Sequence, residues 1–189
     1  KIVDRVAVGD QSQEMSKYIQ FEAAVSTGGN EYLPTLLEGI QAQKRVWFMY
    51  TSFQQQQSKP RKVSPLFLKE YRNRWYLICF DLQKQDISTF ALDRMTELQL
   101  LDEAAQIPAD FNAAEYFRDA IGITAFKGEA LRIVLKADTI AARYIETQAF
   151  HHSQKLLDKQ DAFSIFELRI LVTEEFIRSL LGYAGEVEV

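Results

Sequence analysis

The sequence predicts an α+β chain of two consecutive units: a five-stranded SH3-like or Sm-like barrel opened by a helix, over residues 31–104, and a ferredoxin-like βαββαβ unit over 129–189. Three observations predict it. One amphipathic helix is followed by five short apolar segments. Tight polar turns join those segments in close order, which is the pattern of a small barrel. Beyond residue 128, single strands alternate with short helices, and the order βαββαβ describes a split-βαβ sandwich.

The helix is read from Leu33, Leu36, Leu37 and Ile40, which recur at i, i+3, i+4 and i+7 with Pro34 in the first turn. The strands are Val46 to Tyr50, Lys62 to Lys69, Arg74 to Phe80, Ile87 to Leu92 and Leu98 to Leu101. Between them lie the polar stretch 54–59, whose glutamines 54–57 read as a hairpin tip, the turn Tyr71-Arg72-Asn73 and the turn 83–86. Closure into a barrel removes the edges that such short strands would expose. A connection over 105–128 carries Pro108, a short helix around Glu115 to Ala120, and Gly122 and Gly128. In the second unit, strands at 131–135, 154–157, 163–172 and 186–189 alternate with helices at 139–146 and 174–181. Asp138 and Thr173 stand at N-cap positions and Gly182 at a helix stop. Ile140, Ala141, Tyr144 and Ile145 share a face of the first helix; Phe176, Ile177, Leu180 and Leu181 share one of the second. Ahead of the barrel, residues 18–21 alternate like a short strand and 27–30 read as a turn.

Composition narrows the function. Of 189 residues, 47% are hydrophobic, with 13 Phe and 8 Tyr, so a packed core is expected rather than disorder. No apolar run is long enough to span a bilayer and no signal peptide is evident, so a cytoplasmic location without membrane attachment is the default expectation. The single Cys79 lies in an apolar run and reads as a small core residue. The net charge of −4 hides an asymmetry: residues 44–94 hold ten Lys/Arg against four Asp/Glu, a balance of +6. A basic block inside an acidic chain points to a local anionic ligand; a solvated barrel surface is the other reading.

The run Arg74-Trp75-Tyr76-Leu77 resembles the namesake motif of the WYL family. Leu36 to Ile40 with Phe48-Met49-Tyr50 looks like that family's opening helix and first strand. Arg61-Lys62-Val63-Ser64-Pro65 resembles its second-strand signature, and Thr89-Phe90-Ala91-Leu92-Asp93-Arg94 its closing element. His151-His152-Ser153-Gln154 and residues 182–189 resemble the C-terminal extension of these regulators, so the likeness runs from about residue 18 to 189. It implies a bacterial transcriptional regulator whose barrel senses an anionic effector, a nucleotide or short single-stranded nucleic acid. It also implies a homodimer that meets promoter DNA through an N-terminal winged helix-turn-helix. Residues 1–17 cannot hold such a head, so residues 1–30 read as a residual linker.

Alternation puts Arg74 and Tyr76 on one strand face, and Trp75 and Leu77 on the core face. The Arg74 fork suits a phosphate, although an exposed strand arginine has the same pattern. The resemblance places Arg94 in the ligand patch, while its neighbour Asp93 offers a salt bridge instead. Arg61 borders a loop and is either a third cation of the site or a solvated charge. Tyr50 is a candidate to stack on a base or to pack in the core. Ser64 offers a hydroxyl, or simply suits the extended backbone before Pro65. Tyr71-Arg72-Asn73 departs from the family's usual turn, so Tyr71 and Arg72 join the candidate ligand contacts. Adjacent His151 and His152, with no cysteine near, do not make a metal site. No nucleophile triad, phosphate loop or carboxylate pair is evident, so neither catalysis nor a cofactor is expected. The alternative to effector sensing is an oligomerisation module, with the acidic second unit of one subunit against the basic barrel of another.

Overall fold

Helix α1 (Leu33–Gln41) begins where Pro34 presets the backbone, and five strands follow it: β1 (Lys44–Tyr50), β2 (Lys59–Tyr71), β3 (Arg74–Asp81), β4 (Asp86–Ala91) and β5 (Met95–Ala104). The computed structural model describes residues 28–53, 57–126 and 128–189. The reading of 1–17 as linker, the strand at 18–21 and most of the glutamine tip lie outside the described residues.

The five strands form one antiparallel sheet in the order β4-β3-β2-β1-β5. Strands β1 and β4 are three steps apart, about 14 Å in a flat sheet. Yet the Phe90 ring lies 5.3 Å from Phe48 and 4.7 Å from Tyr50, so the sheet curls over its own core. The bend falls on β2, whose register with β3 shifts between Pro65 and Phe67. Closure differs from the barrel expectation. No ladder joins edges β4 and β5 among the described residues. The three residues that cross between these edges coil into a 3-10 turn, Leu92–Arg94, which the Thr51 amide ties to the end of β1 by donating to the Arg94 carbonyl. Side chains and this turn, rather than hydrogen-bonded strands, cover the seam.

Leu36, Val46, Phe48, Val63, Leu77 and Cys79 are fully buried inside the curl, with Trp75 packed against them. Burial pushes the Cys79 thiol well up, so it stays protonated as a core group. The expected face of α1 is rotated: Leu37 is exposed and Gly39 is buried, against Leu100, Val46 and Pro65. A Cβ at Gly39 would lie 3.3 Å from the Leu100 and Val46 side chains, tighter than an ordinary contact, so the small residue suits this close approach.

The second unit runs β6 (Leu131–Asp138), α3 (Thr139–Thr147), β7 (Lys155–Lys159), β8 (Phe163–Ile170), α4 (Glu174–Leu181) and β9 (Val187–Glu188). Its sheet order, β7-β8-β6-β9, is antiparallel throughout. Asp138 accepts from the Ile140 and Ala141 amides, and Thr173 from the Phe176 amide, so the caps form as predicted. The helix faces are narrower than expected. Ala141, Ile145 and Phe176 are buried, but Ile140, Tyr144, Ile177 and Leu181 are exposed. A short helix lying on one sheet buries only the stripe directly over it.

Between the units, the connection holds helix α2 (Ala113–Tyr116), capped by Asn112. Tyr71, Phe111, Phe117 and Ile123 pack with Tyr76, Ile78 and Ala91 on the outer face of β3 and β4. His151 ties the second unit to this connection. Its Nε2 lies 2.8 Å from the Arg118 carbonyl, which can only accept, so Nε2 donates and Nδ1 is left to accept from the Ser153 amide. Burial holds its pKa below the ordinary 6.5. A depressed histidine keeps its full contribution above the unfolded value and loses it as pH falls. The stability of the chain should therefore drop as pH is lowered from 6.5. Thermal melts at stepped pH values should show that drop in the native chain and lack it in His151→Asn.

Candidate functional site

The site grows from the end of β4. Strand alternation sends Tyr76 outward from β3 and Phe90 inward from β4, and the 3-10 turn then swings Asp93 and Arg94 across the seam. Between the outer edge of β4 and the connection lies a cleft of about 340 Å³. Tyr76, Lys84, Ser88, Thr89, Phe90 and Arg94 line its sheet side, and Tyr116, Ile123, Thr124 and Ala125 the opposite wall. Two cations and no carboxylate are in that lining. The Tyr116 hydroxyl donates to the Ala125 carbonyl at 3.0 Å, which holds the opposite wall in place.

Arg94 is the best-supported member. Its guanidinium lies over two rings, 5.4 Å from the Tyr50 centroid and 4.5 Å from Phe53. Its Nε and the Asp93 Oδ1 are buried and 4.0 Å apart, too far for a hydrogen bond, and neither has a hydrogen-bond partner. A buried donor without a partner costs about 1–3 kcal/mol. The Nε itself is covered, while the side chain as a whole keeps 23% exposure beside the cleft. Asp93 serves two arginines at once, because Arg74 Nη1 lies 3.8 Å from its Oδ2. Arg74 and Arg94 together thus exceed their shared carboxylate by one positive charge. Burial raises both Tyr50 and Tyr76, opposed by Arg94 for Tyr50 and chiefly by Arg74 for Tyr76. Both phenols are therefore neutral donors at physiological pH.

The expected residues divide into three groups. Tyr76 and Arg94 line the cleft, and Tyr50 and Arg74 adjoin it through Arg94 and Asp93. The Tyr50 hydroxyl is engaged within the fold, accepting from the Ala91 amide at 3.4 Å. Arg61 sits beyond the Tyr50–Phe90 ring pair, 5.8 Å from the Phe90 centroid and 3.9 Å from the buried Asp81 carboxylate. Ser64, Tyr71 and Arg72 stand elsewhere. Ser64 is fully buried and accepts from the Gln106 amide at 2.8 Å, which anchors the connection to β2. Tyr71 packs against the connection. Arg72 and Asn73 form a two-residue hairpin turn, both at positive φ, and Arg72 lies over the Tyr71 ring. Sequence reasoning passed over Lys84, in a turn, and Phe53, which is 74% exposed. A bulky aromatic left in the polar segment after β1 is the signal that marks Phe53.

Comparison with known proteins bears on this region. A family model described as the WYL domain matches residues 31–100, which hold α1, the first four strands and the turn bearing Arg94. None of the curated proteins matches the chain. Among solved structures the chain is similar to the proteasome accessory factor B/C (PafBC) of Arthrobacter aurescens, at 16% identity and a TM-score of 0.40, covering 93% of this chain and 26% of that one. It is also similar to a CRISPR Cas-related protein, at 10% identity and a TM-score of 0.47, covering 82% of this chain and 51% of that one. The chain thus spans about a quarter and about half of those two proteins. The motif elements lie in order along α1 to β4 and the family model covers the same residues, so residues 31–100 match the WYL domain.

Proposed function

We propose that this chain is the effector-sensing part of a transcriptional regulator and binds an anionic ligand, a nucleotide or a short single-stranded nucleic acid, in the cleft beside Arg94. One observation carries the reading: the half-buried guanidinium of Arg94 stands in a cleft whose lining also holds Lys84 and no carboxylate. A phosphate accepts from such a donor, and a charged hydrogen bond gains more than a neutral one. Phe53, exposed against Arg94, offers a ring on which a base can stack. The chain acts by binding, as a homodimer that passes occupancy to a promoter-binding domain, and not as an enzyme.

Calorimetric titration with ATP and with 5′-phosphorylated oligothymidylate tests this. Arg94→Ala should weaken binding by about 1–3 kcal/mol, and Arg74→Ala by less, because Arg74 reaches the cleft through Asp93. Affinity for the oligonucleotide should fall steeply as salt rises. Unchanged affinity in both variants defeats the reading. The exposed pairs Ile140 with Tyr144 and Ile177 with Leu181 favour a second role, self-association through the second unit. Sedimentation of the ligand-free chain decides it: a dimer that Leu181→Glu dissociates supports the role, and a monomer removes it.

A further inference from the structure

A second cleft, of about 330 Å³, opens on the other side of Tyr116 and has the opposite character. The β3–β4 hairpin, the connection and Leu171 of the second unit converge on it. Its apolar lining is rich in aromatic rings. Phe80 is buried at the end of β3; Phe111 and Tyr116 stand 5.8 Å apart at a tilt of 49°; Phe126 is 49% exposed. The polar lining is acidic: Asp86, Asp110, Glu115 and Asp119 face a single cation, Arg118. Arg118 is already held by Glu115 at 2.6 Å and Asp119 at 3.1 Å. Neither Asp86 nor Asp110 has a cationic partner among the described residues. The cleft therefore keeps a net negative balance beside several π faces.

Anions are repelled from such a place, and a neutral apolar ligand gains nothing from the carboxylates. An organic ammonium ion gains from both features, since ring faces attract a weakly hydrated cation and the carboxylates complement its charge. The volume is at the lower end for small-molecule sites, which suits a compact cation. The same hairpin supplies Lys84 to the basic cleft and Asp86 to this one, and Tyr116 and Ile87 form part of both linings. The two clefts thus select opposite charges across one shared wall.

We propose that this aromatic, acid-lined cleft between the β3–β4 hairpin and the connection is a binding site for a small organic ammonium ion. The inference does not depend on the anionic ligand, because its residues other than the shared wall are different.

Choline and its uncharged isostere 3,3-dimethylbutan-1-ol are the probes, titrated into the isotopically labelled chain and followed by amide and methyl NMR shifts. Choline should shift signals of Phe111, Tyr116 and Phe126 saturably, and the isostere should bind about tenfold more weakly or not at all. Asp110→Asn, at an exposed position, should weaken choline severalfold without unfolding the chain, and Phe126→Ala should do the same. Arg94→Ala should leave choline binding intact, which separates failure of this proposal from failure of the anionic site. Equal binding of choline and its isostere, shifts located elsewhere, or no saturable shift overturns the assignment.

Discussion

Replacing Gly29 with alanine should destabilise the chain by about 3 kcal/mol or more, whereas the same change at Gly28 should cost about 1–2 kcal/mol. Both glycines sit at positive φ, 82° and 83°, so both substitutions carry the left-handed backbone penalty. They differ in surroundings. A Cβ on Gly28 meets nothing within 4 Å, while one on Gly29 would overlap the Leu92 carbonyl carbon and come within 2.6 Å of the Asp93 amide nitrogen. The obstacle is backbone and cannot swing aside as a side chain would. The displaced segment is the 3-10 turn that presents Asp93 and Arg94, so Gly29→Ala should also weaken anion binding. Urea unfolding of the two variants, paired with the ATP titration, provides the test. Equal losses at the two positions would show that the close approach at Gly29 is unimportant.

The Phe48→Ala variant should lose about 3–5 kcal/mol, the range for emptying a fully buried aromatic position. Phe48 has no solvent exposure and meets Phe90 edge-on at 5.3 Å and Tyr50 at 6.2 Å. These three rings join β1 to β4 across the inside of the curled sheet, where no backbone hydrogen bonds link them. Removing the central ring opens a cavity and loosens the seam together. Phe48→Leu keeps most of the volume and should cost less than about 1.5 kcal/mol. Chemical unfolding compares them. A small loss for the alanine variant would mean that the ladder, not ring packing, keeps the sheet curled.

Ion pairing across the sheet explains why the basic block is only partly a ligand site. Lys44 pairs with Asp102, and Arg45 and Lys62 with Glu103, all on the β5 side of the sheet. These exposed pairs add little stability, but they engage three of the ten cations counted in the sequence and offset two of those charges, since Arg45 and Lys62 share Glu103. Of the other seven, Lys84 and Arg94 line one cleft, and Arg74 joins Arg94 at Asp93. A charge count along the chain cannot make this distinction, because the partners are more than forty residues away in sequence for each pair.

Local pattern alone determined much here. Period-2 alternation named the core side of β3 correctly, with Trp75 and Leu77 inward and Tyr76 outward. Cap chemistry at Asp138 and Thr173 set the starts of α3 and α4, and the strands among the described residues fall on or near apolar segments bounded by turns. These features depend on neighbours a few residues apart, which the sequence lists directly. Tertiary structure decided what depends on approach in space. It replaced strand-to-strand closure with a 3-10 turn over Gly29. It engaged Ser64 with the Gln106 amide and packed Tyr71 on the connection, and it brought Lys84 and Phe53 to the neighbourhood of Arg94. The physical reason is that a hydroxyl, ring or cation acquires its role from the partner that desolvates it. Those partners arrive from other strands and from the connection only when the sheet curls.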